Sequence, residues 1–158
     1  MREGEPRVHR LWIEQSTICF GAPERVVVRI PIAELRLIAE STNESGPASD
    51  DWFLILATSS EHWTEISMYT AGIHEFFAEV ARILGAPSLE TSLAGSTSFA
   101  SNILWPPDLT GRPAFLFESF PRWQQWLTLG IRGNRQRYSL DALDALARSR
   151  VRLTEFAP

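Results

Sequence analysis

Between residues 50 and 84 the chain passes through two strand-like segments directly into a sharply punctuated amphipathic helix, and no other feature constrains the fold as much. Asp50 and Asp51 precede an apolar run, Trp52-Phe53-Leu54-Ile55-Leu56-Ala57, too short for a full helix and apolar on both alternating faces. A strand of that kind belongs in the middle of a sheet with both faces covered. Thr58-Ser59-Ser60-Glu61-His62 supplies a polar turn. From Trp63 to Met68, Glu65 and Ser67 alternate with Thr64, Ile66 and Met68, the period of a strand with one wet face. Thr70 is placed to cap a helix over residues 71–84, in which Ile73, Phe76, Phe77, Val80 and Leu84 recur at helical spacing before the stop signal of Gly85 and Pro87. Burying such side chains is worth roughly 1.5–3 kcal/mol each before entropy, so packing against a sheet holds this helix.

A length of 158 residues is that of one ordinary domain, and 44% hydrophobic with 22% charged residues is a globular composition. No apolar stretch approaches the roughly 20 residues that cross a bilayer, so a membrane-spanning protein is not expected. Met1-Arg2-Glu3-Gly4-Glu5-Pro6 carries acids and leads into no apolar core, which argues against a secretory signal. The single cysteine, Cys19, has no internal partner and sits between Ile18 and Phe20, where a small buried hydrophobe is expected rather than a nucleophile. These features point to the cytoplasm. Lysine is absent, and the arginines are unevenly spread. Residues 1–120 hold eight arginines against sixteen acids, whereas residues 121–158 hold seven against three. The basic end either docks on the acidic body or forms a partner-binding surface.

Upstream, Val8 to Ile13 and Ile18 to Phe20 form a first hairpin around the loop Glu14-Gln15-Ser16-Thr17. Arg25-Val26-Val27-Val28-Arg29-Ile30 is a β-branched strand ended by Pro31. A short turn and a strand from Leu35 to Glu40 follow, then a polar loop over residues 41–49.

The strand and turn Arg25-Val26-Val27-Val28-Arg29-Ile30-Pro31-Ile32-Ala33-Glu34-Leu35, the strand Trp52 to Ala57 and the helix over 71–84 give residues 1–85 about six strands and one covering helix. In this order the segment resembles a pleckstrin-homology-like domain. The resemblance implies a bent antiparallel sheet closed at one end by the helix, in a family that binds peptides, proteins or lipid headgroups. Members that grip phosphoinositides use basic residues around the first hairpin loop. Here that loop carries no cation, so lipid binding does not follow.

Residues 86–158 form an α/β extension of the same single domain. A short helix is expected around Glu90 to Ala94, a rigid turn at Trp105-Pro106-Pro107-Asp108, and an edge strand along Arg112-Pro113-Ala114-Phe115-Leu116-Phe117-Glu118. Ser139 can cap a final helix with an apolar stripe of Leu140, Leu143, Leu146 and Ala147 and with Arg148 and Arg150 near its end. The class is α+β.

Motifs for chemistry are missing. His74-Glu75-Phe76-Phe77-Ala78 has alanine where a zinc helix needs its second histidine, leaving His74 and Glu75 as residues of a wet helix flank. There is no nucleophile elbow, phosphate loop, paired CxxC or EF-hand loop, and His9, His62 and His74 are scattered. No enzyme, cofactor or metal is expected. Six tryptophans are more than a core needs. Trp123 and Trp126 lie three apart beside Arg122, followed by Arg132, Arg135, Arg137 and Tyr138 at loop spacing, a composition suited to phosphate or an acidic protein partner. With a net charge of −4, nucleic acid is not favoured.

The leading expectation is therefore a non-catalytic cytoplasmic protein that works by binding another protein. Small, acidic, motif-poor α+β chains of this character resemble bacterial immunity proteins, which cover the basic active site of a toxin. The alternative is an adaptor that binds through the Arg122–Tyr138 surface. The sequence sets no oligomeric state.

Overall fold

A computed structural model describes residues 8–44, 50–118 and 135–148. Strand β1 (Arg10–Glu14) turns through Gln15 and Ser16, both with left-handed φ of 48° and 61°, into β2 (Thr17–Ala22). Two such residues give a hairpin whose twist matches its strands. β3 (Arg25–Pro31) pairs with β2, completing an antiparallel sheet in the order β1-β2-β3. On this edge strand Arg25, Val27, Arg29 and Pro31 are exposed, and charge and proline discourage further pairing.

Pro31 then diverts the chain through a short 3-10 turn, Ile32–Glu34, and a second antiparallel sheet begins. It comprises β4 (Leu37–Thr42), β5 (Trp52–Ala57), β6 (Trp63–Ser67) and, arriving from far along the chain, β7 (Ala100–Trp105), in the order β6-β5-β4-β7. The first six strands thus divide into two three-stranded meanders instead of one six-stranded sheet. β7 was not foreseen. Nor is there a helix at residues 90–94, which run without regular structure toward β7. The amides of Ser92 and Leu93 there bind a side chain, Glu40, rather than helical carbonyls.

The second sheet is buried on both faces. Leu54 and Leu56 of β5 join Ile38, Ile66 and Leu104 in a cluster with Leu11, Ile18 and Ile30 of the first sheet and with Ile73, Phe76 and Val80 of the helix α1 (Ile73–Leu84). Ile55 and Ala57 join Leu37, Ala39 and Ile103 on the opposite face, under Phe115 of β8 (Phe115–Glu118) and Ala142, Ala145 and Leu146 of α2 (Leu140–Ala147). The doubly apolar pattern of Trp52 to Ala57 reflects this central position. β8 pairs with β9 (Arg135–Tyr138) in a separate two-stranded ribbon.

One helix end differs from expectation. Thr70 does not cap α1 with its side chain; the N-cap is Gly72 at φ 85°, and the Thr70 carbonyl accepts the Ile73 amide at 3.3 Å. The Leu11 amide bonds to the Ala71 carbonyl at 2.9 Å, locking β1 onto this loop, and a Cβ on Gly72 would overlap the Leu11 carbonyl oxygen. Only glycine fits that turn. The other end is as foreseen: left-handed Gly85 stops the helix, with the Ala86 amide closing back on Ala81 at 2.9 Å. In α2 the Ser139 hydroxyl accepts the Ala142 amide at 3.1 Å as expected, but the stripe is rotated. Ala142, Ala145 and Leu146 face the sheet, whereas Leu140 is 83% and Leu143 41% exposed. Alanines let this short helix lie close on the sheet, which leucines at those positions would not.

Cys19 is fully buried, but it shares the outer face of β2 with Trp12 and Arg29, whose Nη1 lies 3.6 Å from its sulfur.

Candidate functional site

Glu40 stands in β4 between Leu54 of β5 and Asn102 of β7, and its side chain is completely buried. A carboxylate there is costly unless donors match its oxygens. Oε1 accepts from the Ser92 amide at 2.7 Å, the Ser92 hydroxyl at 3.2 Å and Asn102 Nδ2 at 3.0 Å. Oε2 accepts from Trp52 Nε1 at 2.9 Å and the Leu93 amide at 3.3 Å. Every partner donates. Asn102 Nδ2 also reaches Ser92 Oγ at 3.2 Å, while its Oδ1 is buried without a partner among the described residues. One side chain thereby fastens β4, the start of β5, β7 and the segment that follows α1.

Two of those fastened pieces help line a groove of about 580 Å³: the start of β5 through Trp52, and the segment after α1 through Leu89 and Thr91. Buried Met68 and Ile73, with half-buried Phe77, form its inner lining, and exposed Tyr69, His74 and Glu75 stand at its mouth. The β6–α1 loop supplies the remainder through Thr70, Ala71 and Gly72. Tyr69 is 64% exposed; its hydroxyl donates to Asp51 Oδ1 at 2.9 Å, and its ring meets that of Trp52 at 6.3 Å and 76°. That hydrogen bond, followed by desolvation and the charges of Asp51 and Asp50, raises the Tyr69 hydroxyl above its ordinary pKa. Asp51, expected only as a residue at the start of a strand, is thus tied to the groove mouth.

Of the partner-binding residues expected from sequence, those that are described do not line the groove. Arg122, Trp123, Trp126 and Arg132 fall outside the described residues. Arg135, Arg137 and Tyr138 belong to β9, a strand where loop spacing was expected, and its alternation puts Arg137 and Tyr138 on opposite faces. Arg137 is exposed opposite Leu116, whereas Tyr138 turns inward between Trp63, at 5.6 Å between ring centroids, and Phe115, at 5.0 Å. Of the C-terminal arginines, Arg148 pairs with Asp108 at 2.8 Å and Asp144 at 2.6 Å, so part of the basic end does dock on the acidic body. These ion pairs are exposed and individually weak. His62 lies 3.1 Å from Ser59 Oγ, and His74 occupies the wet flank of α1.

Burial pushes the Tyr138 hydroxyl up to about 12, and that hydroxyl has no hydrogen-bond partner among the described residues. Because the native state prefers the neutral phenol, its contribution to stability is intact below pH 10 and fades as pH rises from 10 through 12. Tyr138→Phe should erase this alkaline dependence in urea titrations and add about 1 kcal/mol at neutral pH by removing the unpaired hydroxyl.

Among the described residues, no three His, Cys, Asp or Glu side chains gather to hold a metal, and no helix is long and apolar enough to cross a membrane. Glu40, Ser92 and Asn102 were overlooked in the sequence; the available signal was a lone acid in the otherwise apolar Leu37-Ile38-Ala39-Glu40. Comparison with protein-family models, curated proteins and solved structures finds no match to the chain.

Proposed function

We propose that the chain is a non-catalytic protein-binding domain whose partner inserts a side chain into the groove beside α1. The observation that carries this reading is the groove itself: about 580 Å³, lined by Trp52, Met68, Ile73, Phe77 and Leu89, and opening at exposed Tyr69. Apolar hollows with an aromatic at the lip are the usual receptors of anchor residues. A binding rather than catalytic role is supported by Glu40, buried with donors on both oxygens, and by His74 and Glu75, adjacent on the helix and therefore diverging. The two antiparallel meanders ending in α1 support a pleckstrin-homology-like arrangement. A cytoplasmic, immunity-type role against a toxin belongs to the same proposal, favoured by the acidic composition of residues 1–120.

A second reading, the adaptor surface toward the C-terminus, draws on exposed Leu116, Leu140 and Leu143 near Arg137. A photo-crosslinking residue at position 69, with one at exposed Val27 as control, should capture a partner only from position 69. Tyr69→Ala and Leu89→Ala should then weaken the purified complex about tenfold or more. Full affinity in both variants, with loss on Leu140→Asp or Leu143→Asp, would transfer the function to the second surface.

A further inference from the structure

We infer that the groove receives a cationic side chain, arginine or lysine, presented by the partner protein. This rests on the reading of the groove as the docking site. Trp52 and Tyr69 stand 6.3 Å apart and nearly perpendicular, forming an aromatic corner at the groove mouth. A cation within about 6 Å of a ring centroid is attracted by the ring quadrupole. The Tyr69 hydroxyl donates to Asp51, which draws positive charge away from the ring and holds a carboxylate beside it, while Asp50 lies close enough to act on the same hydroxyl.

Glu75 is the one carboxylate in the lining itself, beside His74, its one basic side chain, while Asp51 reaches the groove through Tyr69. Arg10 rests against Gly72 outside that lining. Deeper in, Met68, Phe77 and Leu89 offer apolar surface. Acidic at the mouth and greasy inside, the groove suits an arginine or lysine, whose methylene stem packs while the charged head stays at the rim. An anion or a purely aliphatic anchor would leave these carboxylates uncompensated or unused.

The test is an NMR titration of the full chain with acetylated, amidated Ala-Leu-Arg-Leu-Ala and with its citrulline isostere, which keeps the shape and loses the charge. The arginine peptide should shift the Trp52 indole and the amides of residues 69–75 and bind about fivefold or more tightly than the citrulline peptide at low salt. That advantage should shrink at high salt. Asp51→Asn combined with Glu75→Gln should abolish it, and Tyr69→Leu should reduce it about two- to fivefold. Equal binding of both peptides in the groove would overturn the charge recognition and leave the docking site standing. Shifts in the groove from neither peptide would overturn both.

Discussion

Glu40→Leu should lower stability by about 3–5 kcal/mol, because it removes the shared acceptor of four N–H donors at once. Asn102 Nδ2, Trp52 Nε1 and the amides of Ser92 and Leu93 all point at the carboxylate, and an aliphatic side chain answers none of them. Glu40→Gln is the sharper probe. It preserves volume, but its amide nitrogen must turn a donor toward other donors whichever way it is placed, at a cost of about 2–4 kcal/mol. Urea denaturation at neutral pH measures both. A loss below about 1 kcal/mol in Glu40→Leu would show that the convergent hydrogen bonds contribute little beyond their solvated equivalents. The double substitution Glu40→Leu with Asn102→Leu should recover part of the loss, since donor and acceptor then leave together.

Phe76→Ala should cost a similar amount, about 3–5 kcal/mol, for a different reason. The ring is 1% exposed and packs with Leu11, Leu54, Ile66 and Val80 where the helix closes the two sheets. Truncation leaves a cavity among strands that cannot collapse into it. For a domain of this size the melting temperature should fall by about 10 °C or more. Its neighbour Phe77 touches the Phe76 ring at 5.8 Å but also lines the groove, and it is only half-buried. Phe77→Ala should cost less, roughly 1–2 kcal/mol, and should act mainly on binding. Equal destabilisation by the two substitutions would contradict the orientation of the helix.

What the sequence disclosed follows from range. Ile73, Phe76 and Val80 repeat every three or four residues, so the buried face of α1 could be read directly; so could the doubly apolar β5 and the Ser139 cap, whose bond spans three residues. Glu40 could not, because its partners lie 12, 52, 53 and 62 residues away and none has a local signature. β7 was hidden for the same reason: Asn102-Ile103-Leu104 is short, follows a serine-rich stretch and becomes a strand only because β4 offers an edge. In α2 Ala142 and Ala145, with Leu146, meet the sheet in place of Leu140 and Leu143, a choice set by the distance between layers rather than by hydrophobicity. The groove combines these failures, since its walls come from β5, the β6–α1 loop and residues 89–91. The aromatic and basic cluster at residues 122–138 falls mostly outside the described residues, apart from β9.

Native-state hydrogen exchange at the Ser92 and Leu93 amides tests the central claim, that a buried carboxylate holds the outer wall of the groove in place. Both belong to a segment without regular structure, and their partner is a side chain rather than a backbone carbonyl. Strong protection is expected in the native chain, with exchange in Glu40→Gln accelerated at these two positions by more than at the amides of β4 and β5. Rapid exchange of Ser92 and Leu93 in the native chain, or equal protection with and without the carboxylate, would contradict it.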